Sequence, residues 1–406
     1  MEKDPNWGLV GILKEPYGLQ WAPREDHRRL RKALGILFTT SALLPHEIKI
    51  RCYVQQLLDT FKRMTDNKEE IVIDGQAWFG CLSFDVVASL CIGQTFGCLD
   101  SGDPEFLLST IKSFATGGYT QAASRIVGHG NWAHRVLTYL ITPRELVQIR
   151  TNIGGRAQAA ILQRLADVEG SHHDFISQIL RNNEEKGHIS LDEIVINMLI
   201  TIAAGGEAAG SALTEWAFAM GCNRDKYHKL VREIRDTFAS AEDMNWHALN
   251  DLPYLHAVVR ESFRWQGSVT QKIRIVPKGG AMIDGCWIPG GAAVALAPYA
   301  ANHAEANFSD PYSFVPERWL NLGTKDKLYA SMPFSHGPHD CIGKNLAFME
   351  LKLGIAHLIW HFDLDIESLE GRNWMWDPKN DFEHLRAVNT WQYPQLWIKL
   401  RKASGK

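Results

Sequence analysis

The stretch that decides the fold of this chain reads Phe334-Ser335-His336-Gly337-Pro338-His339-Asp340-Cys341-Ile342-Gly343-Lys344. Gly337 and Pro338 interrupt regular structure, which predicts a tight turn on the approach to Cys341. Apolar residues with helical spacing follow over residues 345–361, so the cysteine stands where a helix begins. Unpaired N–H groups and the dipole at a helix N-terminus favour a thiolate, the form of cysteine that binds a metal. A buried free cysteine before an ordinary core helix is the alternative, and for an isolated Cys-x-Gly it is the commoner case.

Three motifs in the chain match one known family. The run Phe334-x-x-Gly337-x-x-x-Cys341-x-Gly343 resembles the haem-binding signature of the cytochrome P450 family, whose cysteine thiolate holds the haem iron. Glu261-Ser262-Phe263-Arg264 resembles the Glu-x-x-Arg pair of that family. Phe314-Val315-Pro316-Glu317-Arg318-Trp319, between that pair and the cysteine, resembles its Pro-Glu-Arg motif. Together the three matches favour a member of this family over an ordinary buried cysteine.

The resemblance covers nearly the whole chain, from about residue 14 to the C-terminus, and is strongest with fungal members of secondary metabolism. It implies a single haem domain over residues 1–406, mainly α with a smaller β part, which is the cytochrome P450 fold, N-terminally shortened. Small β regions are expected near residues 271–297 and 391–400. The family's N-terminal part, with its membrane anchor, is not found. The sequence is therefore expected to be naturally short or an incomplete gene product.

Composition and charge restrict the class of protein. A hydrophobic content of 45% and a charged content of 22% are typical of a soluble globular protein. The net charge of −3, without any Arg/Lys-rich tract, indicates no nucleic-acid partner. The seven scattered cysteines form no C-x-x-C pair and indicate reduced thiols. The N-terminus is polar, and the apolar stretch 194–220 contains Asn197, Glu207 and Glu215, which predicts a core helix. We therefore expect no transmembrane segment, and a cytoplasmic protein or one peripheral on the endoplasmic reticulum.

A basic amphipathic helix is predicted over residues 26–38. His27 and Arg31 are four apart and share a face of that helix, for which a solvated charged surface is the ordinary explanation. They stand where the family has a Trp-x-x-x-Arg or His-x-x-x-Arg pair that binds a haem propionate. The resemblance also places Arg274 opposite a propionate and His339 where an arginine usually binds one. It therefore implies one set of haem-binding residues, with Cys341 as the metal ligand of haem b (heme b): His27, Arg31, Arg274, Phe334, Gly337, His339, Cys341 and Gly343.

A second informative segment, Ala204-Gly205-Gly206-Glu207-Ala208-Ala209, lies in the apolar stretch. Its two glycines allow a close approach to the backbone, and a buried glutamate is costly without a partner or a function. The family has Ala/Gly-Gly-x-Asp/Glu-Thr-Thr here, lining the oxygen pocket, and the first threonine holds the water that delivers protons. Glu207 retains the acid and is the expected catalytic proton relay. Ala208 replaces the first threonine and is the main departure at the catalytic site.

Glu261 and Arg264 are three apart on a helix predicted over residues 252–264, so they share a face. An exposed ion pair of this kind contributes about 0–1 kcal/mol to stability. The resemblance instead implies that these two residues and Arg318 form a buried trio that fixes the loop carrying the cysteine. We therefore expect the three to be structural residues around the haem site.

The resemblance implies a haem-thiolate monooxygenase of fungal secondary-metabolite biosynthesis that oxidises a small apolar molecule with O₂. Its electrons would come from NADPH through a separate NADPH-cytochrome P450 reductase. Two alternatives stay open. Because the threonine is missing, the protein could be an isomerase or dehydratase of the same fold that does not activate oxygen. The second alternative is a truncated, non-catalytic relative. The substrate itself is not readable from the sequence.

Overall fold

The protein is described from a computed structural model in residues 2–3, 17–66, 68–102, 109, 117–120, 122–124, 126–128, 131–167, 172–186, 189–265, 272–320, 323–376, 386–388 and 390–403. Its α-helices there are α1 (Arg24–Gly35), α2 (Thr40–Leu43), α3 (Glu47–Met64), α4 (Gly75–Ile92), α5 (Cys98–Ser101), α6 (Trp132–Ile141), α7 (Arg144–Ala166), α8 (Phe175–Lys186), α9 (Leu191–Cys222), α10 (Arg224–Thr237), α11 (Trp246–Asn250), α12 (Pro253–Trp265), α13 (Pro298–Asn302) and α14 (Lys344–His361). The strands are β1 (Glu2–Lys3), β2 (Glu70–Asp74), β3 (Lys272–Ile275), β4 (Ala281–Ile283), β5 (Cys286–Ile288), β6 (Ala293–Leu296), β7 (Phe362–Asp365), β8 (Arg386–Val388), β9 (Thr390–Gln392) and β10 (Trp397–Lys402).

The strands form small antiparallel sheets beside a helical core. One sheet has the order β1-β3-β6, a second has β2-β10-β7, and β4-β5 and β8-β9 are two-stranded. In the second sheet Leu400 of β10 is opposite Ile71 on one side and Leu364 on the other, and all three side chains are buried. This architecture confirms the expected mainly α fold with a smaller β part. The sequence pattern did not predict β2 and β7, which are short and lie next to long helices.

The centre of the core is the crossing of α4 and α9. α4 is apolar on all sides and almost wholly buried, as expected for a helix enclosed by other elements. α9 begins with a capping box in which Ser190 and Glu193 satisfy each other's backbone N–H groups. At the crossing the backbones nearly touch, because a Cβ on Gly210 would lie 2.7 Å from the Cα atom of Gly80. Only glycine permits this approach, which is why α9 contains glycine in an otherwise helix-favouring stretch.

Two described helices, α4 and α9, are long and apolar enough to cross a membrane by length and composition alone. Most of each apolar stretch is buried inside the protein, which is the pattern of core helices. The helix predicted over residues 194–220 corresponds to α9, and the one over 345–361 corresponds to α14. The basic helix predicted over 26–38 ends earlier as α1, and a short 3₁₀ turn, Ile36–Phe38, completes it.

Candidate active site

The cysteine loop, residues 334–343, is a compact turn before α14. Gly337 has a left-handed φ of +79° and opens a 3₁₀ turn, so the predicted break at this position is present. The Cys341 N–H donates to the Phe334 carbonyl oxygen at 2.7 Å, which closes the loop. Cys341 itself is exposed, whereas most of α14 from Met349 onwards is buried. The loop therefore presents a thiol at an open position next to the beginning of a core helix.

Aromatic contacts support the loop from the side of the core. Phe334 packs edge-on against Phe263 of α12, with ring centroids 5.1 Å apart. It also lies 5.4 Å from the ring of Phe348 on α14, and Phe263 and Phe348 contact each other. Phe334 thus joins the loop to two helices at once.

The trio Glu261, Arg264 and Arg318 is buried, with every side chain at most 5% exposed. The Glu261 carboxylate accepts two hydrogen bonds of 2.9 Å from Arg264 and one of 3.1 Å from Arg318. Arg264 also donates to the carbonyl oxygens of Asn302 and Pro311. These bonds fix the chain between residues 302 and 319. The trio reaches the cysteine loop through Phe263, its neighbour on α12, which packs against Phe334.

Three of the four residues expected at the haem propionates meet at the cysteine loop. The Nε2 atom of buried His27 lies 3.0 Å from the Nδ1 atom of His339, so one imidazole donates a hydrogen bond to the other. Arg31 donates to both the carbonyl oxygen and the Oδ1 atom of Asp340, each at 2.5 Å. Asp340 is a neighbour of the guanidinium that sequence reasoning did not assign. Because a guanidinium has five N–H donors, Arg31 keeps capacity for another anion.

The fourth residue, Arg274, lies on β3 and is half-buried. Its Nη1 atom donates to the Ile273 carbonyl oxygen at 3.1 Å. Burial lowers the pKa of the Arg274 guanidinium below its usual range. Among the residues that the structure describes, no carboxylate pairs with it. A partly desolvated cation that none of the described carboxylates neutralises fits a site that receives an anionic group such as a propionate.

In the glycine segment, residues 204–209 of α9, the two glycines face α4. A Cβ on Gly206 would lie 2.4 Å from Cδ2 of Phe84, and one on Gly205 would lie 3.1 Å from Cγ1 of Val87. The close approach predicted for these glycines is therefore made by a neighbouring helix. Glu207 is buried, while Ala208 is exposed on another side of the helix.

Two buried acids near this segment were not assigned from the sequence. Glu215 on α9 is fully buried, accepts a 2.5 Å hydrogen bond from the Tyr393 hydroxyl, and has its pKa raised to about 8 by burial. Glu350 on α14 is also fully buried, and burial raises its pKa to about 8. A charged residue inside an apolar helical repeat was the available signal for both. It identifies an unusual position but not its partner.

The donor set fits a haem better than a metal held by protein alone. The described residues contain no group of three or more His, Cys, Asp or Glu side chains arranged around a metal. An exposed thiol, with imidazole and guanidinium groups beside its loop and a partly desolvated arginine on β3, suits an iron held mainly by an anionic porphyrin. The fold and this site therefore define a helical protein of the haem-thiolate class.

The sequence profile named "Cytochrome P450" matches residues 6–380. The chain is 37% identical over 410 residues to cytochrome P450 monooxygenase aba2 of Botryotinia fuckeliana, with 99% of this chain and 77% of that protein covered. It is 36% identical over 414 residues to ABA2 of Pyricularia oryzae (99% and 78% covered) and 33% identical over 410 residues to traB of Penicillium crustosum (99% and 78% covered), both named cytochrome P450 monooxygenases.

The chain belongs to the cytochrome P450 family, and it is a monooxygenase of the fungal secondary-metabolism type. The resemblance seen in the motifs is thereby confirmed, as is the mainly α fold. The chain spans about three-quarters of the length of these relatives.

Proposed function

We propose that this single-domain protein oxidises a small apolar molecule with O₂, that Cys341 would hold the iron of haem b as a thiolate, and that NADPH-cytochrome P450 reductase is the electron donor. The observation that carries the proposal is the exposed Cys341 thiol, held next to the N-terminus of α14 by its N–H bond to Phe334. When bound, the haem supplies the oxygen chemistry, and a thiolate ligand favours cleavage of the O–O bond. The protein's own residues bind it, orient the substrate and exclude water.

The residues around the thiol have distinct tasks in this proposal. Arg31 of α1 and the hydrogen-bonded pair of His27 and His339 would supply N–H donors at the cysteine loop, and Arg274 would supply a cation from β3, for the two propionates. Phe334 fixes the loop through its carbonyl oxygen and its ring. Gly337 takes the left-handed turn of the loop, and Gly343 lies beside the thiol, where an added Cβ would be 4.0 Å from Sγ, an ordinary van der Waals distance.

On the oxygen side, Glu207 is the proposed proton carrier. Its buried carboxyl can accept a proton on one oxygen and donate it from the same group, which a methyl group at Ala208 cannot do. With alanine at 208, the proton must pass from the Glu207 oxygen through an ordered water or a hydroxyl group of the substrate. In the second of these cases, activity should depend sharply on whether the substrate carries that hydroxyl.

A surface feature of α6 supports a peripheral position on the endoplasmic reticulum membrane. Trp132, Tyr139 and Leu140 are 78%, 74% and 70% exposed, and Val136 is also exposed. Their spacing of four, seven and eight residues puts them on one side of the helix. Exposed Trp and Tyr on an amphipathic helix suit the boundary between lipid head groups and acyl chains.

Oxygen consumption tests the proposal directly. Haem-loaded protein, a purified NADPH-cytochrome P450 reductase and a panel of apolar candidate substrates should consume O₂ and NADPH together and give products one oxygen atom heavier. The Cys341→Ala protein in the same mixture is the control and should give no oxygenated product. Turnover of a substrate without reductase or O₂ would contradict the proposal.

A further inference from the structure

A row of buried polar side chains continues along one side of α9 beyond the glycine segment. Glu207, Ser211 and Glu215 are four residues apart, so they share a face of the helix. They are 7%, 4% and 1% exposed, although the core around α9 is largely apolar. Burial of such groups is costly unless they have partners or a function. Packing alone therefore does not account for the row.

The far end of the row is fixed by Tyr393, which follows β9. Its hydroxyl donates to Oε1 of Glu215 at 2.5 Å. The Tyr393 ring stacks on the ring of buried Trp376, with centroids 5.2 Å apart and planes 9° apart, which helps to hold the hydroxyl in place. Tyr393 is partly exposed, and exposed Gln395 lies two residues further on. The bond thus joins a carboxyl group in the core to a side chain near the surface.

The bonding pattern of Glu215 indicates where its own proton lies. Burial raises the pKa of this carboxyl group to about 8, so it is protonated at neutral pH. Oε1 accepts the Tyr393 hydroxyl, which leaves Oε2 to carry the proton. Oε2 is buried and has no hydrogen-bond partner in the described part of the chain. Glu215 therefore holds a proton inside the core that no described acceptor binds.

Ser211 lies between the two acids of the row. Eight residues of helix rise about 12 Å, and Ser211 is about 6 Å along the axis from each acid. A hydroxyl group accepts one proton and donates another, so it can pass a proton between groups on its two sides. Glu207 is near enough to raise the pKa of Glu215 further, after the larger effect of burial. Acid, hydroxyl and acid thus follow one another in an order that suits proton transfer.

We propose that Tyr393 and Glu215 resupply Glu207 with protons from the solvent, with Ser211 between the two acids. After Glu207 gives up a proton, Glu215 releases the proton on Oε2 to the Ser211 oxygen, and Ser211 donates its own to the Glu207 carboxylate. The Glu215 carboxylate takes the proton of the Tyr393 hydroxyl, and water returns one to the Tyr393 oxygen. All four groups end as they began, and one proton has moved from water to Glu207.

The supply of Glu207 rests on the proposed function, whereas the exchange of protons between water and Glu215 does not. A purely structural role is the alternative, in which the Tyr393–Glu215 bond only anchors the C-terminal segment to α9. Glu215→Gln keeps a carbonyl oxygen that accepts from Tyr393 but has no acidic proton. Tyr393→Phe removes the hydroxyl and keeps the stacking ring. The proposal predicts that both variants lose the proton path, whereas the alternative predicts a defect in Tyr393→Phe alone.

Infrared spectroscopy of the haem-loaded protein measures the outer part of the path without turnover. The C=O stretching band of the protonated Glu215 carboxyl group is identified by its absence from Glu215→Gln, and its shift after transfer to D₂O gives the rate of proton exchange. Exchange should be at least about tenfold slower in Tyr393→Phe, because the buried proton then waits for the structure to open locally.

Tyr227→Phe is the matched control for this measurement, because it removes another buried hydroxyl, one that accepts the Leu364 N–H. Its Glu215 band should exchange at the unaltered rate. Equal exchange rates in Tyr393→Phe and the unaltered protein would overturn the proposal. Absence of a Glu215 band from the unaltered protein at neutral pH would overturn it as well.

The inner part of the path is measured during turnover with reductase, NADPH and a substrate from the apolar panel. The share of NADPH electrons released as hydrogen peroxide should rise by about threefold in Glu215→Gln and in Ser211→Ala, and Tyr227→Phe should not change it. Unchanged peroxide release in Glu215→Gln or Ser211→Ala would refute the supply of Glu207 through this row. Failure of the proposed function would look different, because the unaltered protein would then consume no O₂ with any substrate, while the exchange rates still decide whether Tyr393 and Glu215 carry protons.

Discussion

The cysteine loop and the glycine segment of α9 are held in place by different kinds of interaction. The loop depends on charged and aromatic side chains: the trio around Glu261, the rings on Phe334, and the Arg31–Asp340 pair. The glycine segment depends on close packing of Gly205 and Gly206 against Val87 and Phe84 of α4, and on the hydrogen bond from the buried Ser83 hydroxyl to the Gly205 carbonyl oxygen. Removing a charge should therefore destroy the first region, whereas preventing the ionisation of a buried acid of the core, such as Glu350, should stabilise the protein.

The largest effect is expected for Glu261→Ala, which leaves Arg264 and Arg318 buried without their carboxylate. Breaking a buried ion network in this way costs about 3–5 kcal/mol, a large part of the stability of an average domain. The variant should be insoluble or fail to retain haem, as judged by yield and by the ratio of haem to protein absorbance.

Glu317→Ala is the matched control, because Glu317 lies in the same Pro-Glu-Arg motif but pairs with Lys226 and Lys229 at the surface. Loss of such an exposed pair changes stability by about 0–1 kcal/mol. A soluble, haem-loaded Glu261→Ala protein whose only defect is slow chemistry would contradict the structural role of the trio.

Glu350→Gln should raise the stability of the protein, the opposite of the effect of Glu261→Ala. The pKa of Glu350 rises from 4.5 to about 8 on folding, so the stability given by its neutral form is complete below pH 4.5 and is lost as the pH rises to about 8. One pKa unit corresponds to about 1.4 kcal/mol, and relaxation reduces the full effect to about 2–4 kcal/mol. Thermal unfolding should show the variant gaining stability over the unaltered protein between pH 5 and pH 8. If the stability difference between Glu350→Gln and the unaltered protein did not change between pH 5 and pH 8, Glu350 would not be an acid that stays neutral on folding.

The two regions also differ in how well the sequence predicted them. The spacing of Glu261, Arg264 and Arg318 was sufficient to predict their ion network, because each is a charged group that prefers a partner of opposite charge. The role of Cys341 stays a prediction. Glu350 and Ser83 were missed, because a single acid in a helical repeat does not show which neighbouring helix its carboxyl group meets. The direction in which Gly205 and Gly206 face likewise depends on the packing of α4 and α9, which no local pattern specifies.

A smaller, functional effect is expected for Ala208→Thr on the glycine segment. Ala208 is exposed, so a threonine there has room, and its hydroxyl can hold a water and pass a proton. The fraction of NADPH electrons recovered in product should rise by at least about twofold, with less hydrogen peroxide released. Unchanged peroxide release would show that the proton path does not include position 208. Ala208→Val, of similar size without the hydroxyl, is the control.

The smallest effect is expected for His339→Arg on the cysteine loop. A guanidinium is a stronger partner for a carboxylate than a neutral imidazole, so haem transfer to an excess of apomyoglobin should slow by about threefold. His336→Arg adds the same charge to the exposed part of the loop and should change little. Equal or faster haem loss from His339→Arg at neutral pH would mean that His339 does not face a propionate.

The absorption spectrum of the reduced, CO-bound protein tests the central claim most directly, because its position reports whether a thiolate is bound to the iron. The unaltered protein should show the long-wavelength band of a thiolate-ligated haem, and Cys286→Ala, which removes another exposed cysteine, should keep it. Cys341→Ala should lose that band completely. A Cys341→Ala protein that retains the thiolate-type band would contradict the assignment of Cys341 as the iron ligand.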